Sequence, residues 1–163
     1  HLNRRISPML PPGQYATMFY GVIDAARDVL TYAGAATPSP LVFPADTDVP
    51  LVGSGTGYPI GMFDDSLYEN RELPFPVGAS LLLYSDAVTE GKMHNGERLE
   101  EAGLIRVVAE CLSDAPRESL VQALTGRLDR LLEQPLADDL TIISTTRMAN
   151  PGTLPLAGPS GAG

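Results

Sequence analysis

The chain has 163 residues, a hydrophobic content of 44% and a charged content of 19%, values typical of one soluble globular domain with its own core. Its formal net charge of −9, from 20 acidic and 11 basic residues, argues against nucleic-acid binding, because a phosphate backbone demands a concentrated positive surface. No apolar run approaches the ~20 residues that span a bilayer. The single cysteine, Cys111, excludes an internal disulfide and fits a reducing compartment. Its apolar helical context predicts a buried, unreactive thiol.

The amino-terminal part of the chain is predicted to consist of strands and loops. Residues 15–23 carry apolar side chains on both faces, which predicts a central strand. A polar turn at residues 24–28 then leads into a returning strand at residues 29–33. A short strand is predicted at residues 41–43, and the glycine-rich stretch 44–66 predicts a long loop.

The carboxy-terminal part is predicted to combine strands with two amphipathic helices. Strands are predicted at residues 67–75 and 80–85, and apolar residues at helical spacing predict helices at 98–112 and 116–133. A last strand is predicted at residues 140–145. Because strands joined by hairpin connections precede the helices, the order predicts an α+β fold with an antiparallel sheet and helices on its face.

Composition divides the chain into two segments. Residues 1–148 form the predicted domain, in which residues 91–96 are predicted to be a mobile polar connection. Residues 149–163 consist largely of Pro, Gly, Ala and Ser, which predicts a disordered tail or linker. The chain has no initiator methionine and begins with His1, so we expect it to be a piece of a longer protein.

Aspartates stand at the ends of two predicted strands. Asp86 follows the large apolar residues 81–84, whose run predicts a strand buried on both faces, and Asp138 and Asp139 precede the last strand. If the two strands are neighbours, these carboxylates meet, and a hard divalent cation such as Mg²⁺ or Mn²⁺ would offset their repulsion. No arginine or lysine adjoins either group in sequence, which weakens a salt-bridge alternative. Composition alone is equally consistent with aspartates that cap turns.

Several segments together resemble a known family. The two that contain these aspartates are YSDAVTE at 84–90 and ADDLT at 137–141, and the supporting segments are YATMFYGVID at 15–24, LTYA at 30–33 and PIGM at 59–62. They resemble, in order and spacing, the carboxy-terminal part of the bacterial SpoIIE-type (RsbU-like) phosphatase domain. That family belongs to the metal-dependent type 2C protein phosphatase superfamily.

The resemblance implies a fold and a metal site. The fold would be part of an α-β-β-α sandwich, with mostly antiparallel sheets and two carboxy-terminal helices. The site would be a centre of two Mn²⁺ or Mg²⁺ ions that activates water for attack on phosphoserine or phosphothreonine. By matching position, Asp86 and Asp138 correspond to metal-binding catalytic aspartates of the family, and Asp139 occupies the next position.

The resemblance also implies partners. The substrate would be a phosphorylated anti-sigma-factor antagonist or a similar regulatory protein, in a cytoplasmic partner-switching pathway. The full-length protein would carry an upstream sensor or receiver domain, and homodimers are compatible with the family.

The chain departs from the family pattern in three places. The family's amino-terminal metal motif, an aspartate followed by small residues and a histidine-glycine pair, is absent. Ala87 replaces a usual glycine, where a methyl group would be crowded if φ were positive, and residues 34–37 replace a segment that commonly contains asparagine and histidine. Because the missing aspartate bridges both metals in the family, we expect at most a partial metal site and little or no catalysis by this fragment.

Two other functions are consistent with the sequence. The first is a pseudophosphatase that binds proteins without catalysis, and the second is an acidic dimerisation or scaffold domain. His94, in a polar loop, is predicted to be solvated, and Thr37 is predicted to be structural. Thr141 is predicted to hydrogen-bond the preceding carboxylates.

Overall fold

The computed structural model describes residues 2–114 and 116–149 of the chain. The predicted tail therefore lies, from residue 150 onward, outside the described residues. The described strands are β1 (Met18–Asp24), β2 (Val29–Ala35), β3 (Leu41–Phe43), β4 (Leu51–Val52), β5 (Thr56–Gly57), β6 (Arg71–Pro74), β7 (Ser80–Tyr84) and β8 (Ile142–Thr146). The described α-helices are α1 (Leu2–Ile6), α2 (Asp86–Glu90), α3 (Glu100–Asp114) and α4 (Leu120–Leu131). Within these residues, no helix combines the length and apolarity needed to cross a membrane.

The strands form two sheets whose pairings are mostly antiparallel. In the first sheet β2 is central: it pairs antiparallel with β1 and β6 and parallel with β5. The second sheet has the order β4-β3-β7-β8, and all its pairings are antiparallel. The fold is thus α+β, as the order of predicted elements indicates.

Most predicted elements are present, with shifted ends. The strand predicted at 41–43 is β3, and the predicted turn joins β1 to β2, where the amides of Ala26 and Arg27 donate to Asp24 Oδ1. The second predicted helix begins as a 3₁₀ turn at Arg117–Ser119 before α4. These shifts move ends by a few residues and leave the elements in their predicted order.

The prediction that residues 15–23 form a central strand is wrong. Among the described strands, β1 pairs only with β2 and lies at the edge of its sheet. Tyr20 is 66% exposed and Val22 is 51% exposed, so one apolar face of this strand has no described layer over it. Apolar residues on both faces do not distinguish a central strand from an edge strand, because strand pairing is not a local property.

The second sheet separates two apolar cores. Leu82 and Tyr84 of β7 pack in the core that the sheet shares with α3 and α4, whereas Leu81 packs in the core between the two sheets. The prediction of a strand buried on both faces is therefore confirmed. The helices contribute apolar residues at three- and four-residue spacing to the first core: Leu104, Val108 and Cys111 from α3, and Leu120, Leu124 and Leu128 from α4.

Arg147 connects the two sheets just beyond β8. Its guanidinium pairs with Asp28 at 2.6 Å and donates to the carbonyl oxygens of Phe75 and Ala25, both at 2.7 Å. The Arg147 side chain is only 15% exposed, and its bond to the Phe75 carbonyl is partly buried, whereas the Asp28 side chain is 56% exposed. They fasten the end of the second sheet to the β1–β2 turn of the first.

Candidate active site

The ends of β7 and β8 lie side by side, as the metal hypothesis requires. The two strands pair antiparallel, with Tyr84 opposite Ile142. Just beyond, Ser85 N donates to the carbonyl oxygen of Thr141, and Thr141 N donates to Ser85 Oγ, both at 3.0 Å. Ser85 Oγ also donates to the carbonyl oxygen of Asp139 at 3.1 Å. One serine therefore holds residues 139–141 against the end of β7.

Asp86 and Asp138 emerge from these joined segments. Asp86 is the first residue of α2, and its Oδ1 accepts a hydrogen bond from Ala87 N at 3.0 Å. Oδ1 of Asp138 accepts from Asp139 N at 2.8 Å. Within the described part of the chain, the second carboxylate oxygen of each aspartate has no hydrogen-bond donor.

Asp86 and Asp138 line one cleft of about 320 Å³. Both residues are exposed. The cleft's charged lining consists of four acidic residues and two basic ones: Asp86, Glu90, Glu133, Asp138, Lys92 and Arg98. Asp139 does not line it, and the structure brings together two of the three predicted ligands.

The donor chemistry of this cleft fits a hard divalent cation. Mg²⁺ prefers carboxylate oxygens and is commonly held by one or two carboxylates, with water in its other positions. Within residues 2–114 and 116–149, no three His, Cys, Asp or Glu side chains are grouped to hold a metal. Asp86 and Asp138 are the two predicted ligands that line the cleft, and the proposed site is built on them.

The other residues that the sequence analysis singled out have defined places. Ala87 is buried within α2 and has no positive φ, so its methyl group is not crowded in the way the glycine pattern suggested. Thr37 is half-buried, and its Oγ1 is buried without a partner among the described residues. His94 is exposed, and Thr141 bonds Ser85 through its backbone. Burial raises the pKa of the Cys111 thiol, which fits the predicted inert cysteine.

The structure adds two residues that the sequence analysis missed. Lys92 and Arg98 line the cleft beside Asp86, although no basic residue adjoins the aspartates in sequence. They arrive there because residues 91–99 fold as a hairpin, a structure that the sequence analysis did not predict for this polar connection. The signal was available: Asn95-Gly96 is a strong hairpin-turn dipeptide, and Gly96 has φ of 83°.

Comparison with known proteins now defines the family. The model described as "Stage II sporulation protein E (SpoIIE)" matches residues 1–147. The chain belongs to the SpoIIE family. It is 26% identical over 147 residues to phosphoserine phosphatase RsbU of Bacillus subtilis, which covers 90% of this chain and 43% of RsbU. It is also 34% identical over 76 residues to phosphoserine phosphatase RsbP of B. subtilis, which covers 47% of this chain and 19% of RsbP. The chain thus spans less than half of the curated relatives it matches.

Solved structures show the same fold. The RsbU and RsbW domains of Rv1364c from Mycobacterium tuberculosis match with a TM-score of 0.73 at 24% identity, over 90% of this chain and 40% of that one. The phosphatase domain of SpoIIE from B. subtilis matches with a TM-score of 0.65 at 16% identity, over 93% and 68%. RsbX in complex with magnesium matches with a TM-score of 0.56 at 13% identity, over 86% and 60%. The chain therefore has part of the type 2C phosphatase fold that the sequence predicts.

Proposed function

We propose that this chain is the carboxy-terminal part of a metal-dependent protein phosphatase that hydrolyses phosphoserine or phosphothreonine on a regulatory protein. The observation that carries the proposal is that Asp86 and Asp138, from two strand ends, line one cleft in a SpoIIE-family chain. The relatives RsbU and RsbP are phosphoserine phosphatases by description. A phosphorylated anti-sigma-factor antagonist is the substrate that the family membership favours.

In this proposal Asp86 and Asp138 are the residues that hold Mn²⁺ or Mg²⁺. The bound ion would supply water activated near neutral pH and would offset negative charge on the phosphoryl oxygens. The chain itself holds the two aspartates in place, because Ser85 joins the end of β7 to residues 139–141 through three hydrogen bonds. Asp139 remains a proposed ligand, although its side chain does not line the cleft.

The decisive experiment is phosphate release from a phosphoserine protein with Mn²⁺, measured on the full-length protein. Asp86→Asn and Asp138→Asn should each lower the rate by a factor of at least ~100. Loss of a residue that only supports a metal ligand already lowers activity by up to about 100-fold, and loss of the ligand itself should cost at least as much. Asp129→Asn, an exposed aspartate on α4, is the matched control and should leave the rate unchanged. Activity that survives Asp86→Asn would overturn the metal assignment.

A pseudophosphatase that binds a regulatory protein is the second candidate. It is favoured by the lack of a three-residue metal-binding group among the described residues. Calorimetric titration with Mn²⁺ separates the two functions. A phosphatase should bind the ion with a heat that Asp86→Asn abolishes, whereas a pseudophosphatase should give no heat of binding in either form.

The proposed substrate also suggests a setting for the protein. A phosphatase in partner switching would act in the cytoplasm, under an upstream sensor or receiver domain, and as a monomer or homodimer. Co-purification of the full-length protein with its phosphorylated substrate, followed by light scattering, tests both the partner and the oligomeric state.

A further inference from the structure

Lys92 and Arg98 are held opposite each other by the hairpin at residues 91–99. They form an antiparallel bridge, flanked by hydrogen bonds from Met93 N to Glu97 O at 2.8 Å and from Leu99 N to Gly91 O at 2.9 Å. Residues directly opposite in an antiparallel pair project to the same side. The hairpin therefore presents two cationic side chains together.

The hairpin is anchored to the body of the domain. Glu133 N donates to the carbonyl oxygen of Lys92 at 2.8 Å, and Met93 forms a bridge with Leu132, which is 1% exposed. This anchoring fixes the backbone beneath both basic residues beside the cleft that contains Asp86. Side chains on a fixed backbone lose less conformational freedom when they bind a ligand.

Both cations are available to a ligand. Lys92 is the chain's only lysine and has no ion pair within the described residues. Arg98 lies 3.8 Å from Glu90, with the two side chains 59% and 62% exposed, and such an exposed pair contributes little. Either residue can contact an anion without giving up a buried interaction.

The charges of the cleft favour the binding of an anion together with a divalent metal ion over the binding of an anion alone. Its four acidic residues outnumber Lys92 and Arg98, so a free anion meets net repulsion. A divalent cation on Asp86 and Asp138 brings the formal charge of the lining from −2 to zero, which removes the net repulsion and lets Lys92 and Arg98 contact a phosphoryl group. Arginine binds phosphoryl oxygens in a bidentate fork, and lysine adds a point charge.

We propose that Lys92 and Arg98 bind the phosphoryl group of the substrate and position it beside Asp86 and Asp138. The proposal rests on the proposed phosphatase function, since it names the residues that select a phosphorylated side chain. It predicts that phosphate binding depends on Mg²⁺ and on both basic residues.

The test is a titration of the chain with phosphoserine peptide in the presence of Mg²⁺, followed by NMR. Lys92→Ala and Arg98→Ala should each weaken binding about tenfold, the size expected for one charge-assisted hydrogen bond. Arg98→Lys should recover part of the loss, because it keeps the charge and loses the fork. Arg106→Ala is the matched control, an exposed arginine on α3 outside this cleft, and should bind as the unchanged chain does.

Activity measurements separate this inference from the proposed function. In an active full-length enzyme, the Lys92 and Arg98 variants should raise KM more than they lower kcat, with Mg²⁺ affinity preserved. Unchanged peptide binding in the double variant would overturn the inference, whether or not the enzyme is active. If the full-length protein binds the peptide but shows no activity, the phosphatase function is contradicted. If the double variant of that protein then loses peptide binding, the inference about Lys92 and Arg98 is supported.

Discussion

Ser85 and Thr141 are joined by two hydrogen bonds of 3.0 Å at the point where β7 ends and the chain approaches β8. The hydroxyl of Ser85 accepts from Thr141 N and donates to the carbonyl oxygen of Asp139. The hydroxyl takes the place of the Ser85 carbonyl as acceptor for Thr141 N, so only one backbone bond of this pair remains, and β8 begins at Ile142. Through it, Asp86 and Asp138 reach the same cleft.

Replacing this serine should loosen the candidate metal site. Ser85→Ala removes both hydroxyl bonds and should lower the free energy of unfolding by about 1–2 kcal/mol. It should also weaken Mn²⁺ binding in calorimetry, since the two aspartates lose their common support. Ser144→Ala is the matched control, because the Ser144 hydroxyl is buried without a partner. That change should be neutral or stabilising in urea unfolding, and equal losses in both variants would contradict the role of Ser85.

Replacing Arg147 should weaken the connection between the sheets. Arg147→Met removes the ion pair with Asp28 and the bonds to Phe75 and Ala25. The expected loss in free energy of unfolding is about 2–3 kcal/mol, because bonds from a charged, largely buried donor are among the stronger ones. Arg27→Met is the control. Arg27 lies 3.7 Å from Glu72, the two side chains are 62% and 53% exposed, and the change should cost less than ~0.5 kcal/mol.

Stability should fall at alkaline pH through Tyr84. Burial and the hydrogen bond to Glu101 raise the pKa of Tyr84 above its ordinary value of about 10. Because the pKa of Tyr84 is higher in the folded than in the unfolded state, the protonated tyrosine stabilises the fold fully at pH values below its unfolded-state pKa. This stabilisation is lost as the pH rises above that value. Urea unfolding from pH 8 to 11 should therefore show a decline near pH 10 that is smaller in Tyr84→Phe. Identical slopes would show that Tyr84 does not contribute.

The core between the second sheet and the helices should be sensitive to truncation. Leu124 of α4 is fully buried in this core, so Leu124→Ala should cost about 2–5 kcal/mol, through lost burial and the cavity that remains. Leu67→Ala provides the control, since Leu67 is 82% exposed and should change stability by less than ~0.5 kcal/mol. Urea unfolding followed by circular dichroism measures both. A small effect at Leu124 would indicate that α4 packs differently.

Local pattern predicted the elements of the fold. The run 81–84 correctly indicated a strand buried on both faces, and the leucines of α4 indicated its buried side. The order of elements and the family resemblance together predicted an α+β, type 2C phosphatase fold. These predictions succeed because the period of apolar residues reports which face of an element leaves water.

Tertiary structure decided which residues meet. It placed β1 at an edge, exposed Asp86, kept Asp139 from the cleft, and brought Lys92 and Arg98 beside the aspartates. Arg98 and Asp138 lie about forty residues apart in the sequence. In the folded chain, the hairpin and the pairing of the strands bring both residues to the same cleft. Apolar periodicity is a local property, but the partner of each strand and the charges around each carboxylate depend on contacts between distant segments.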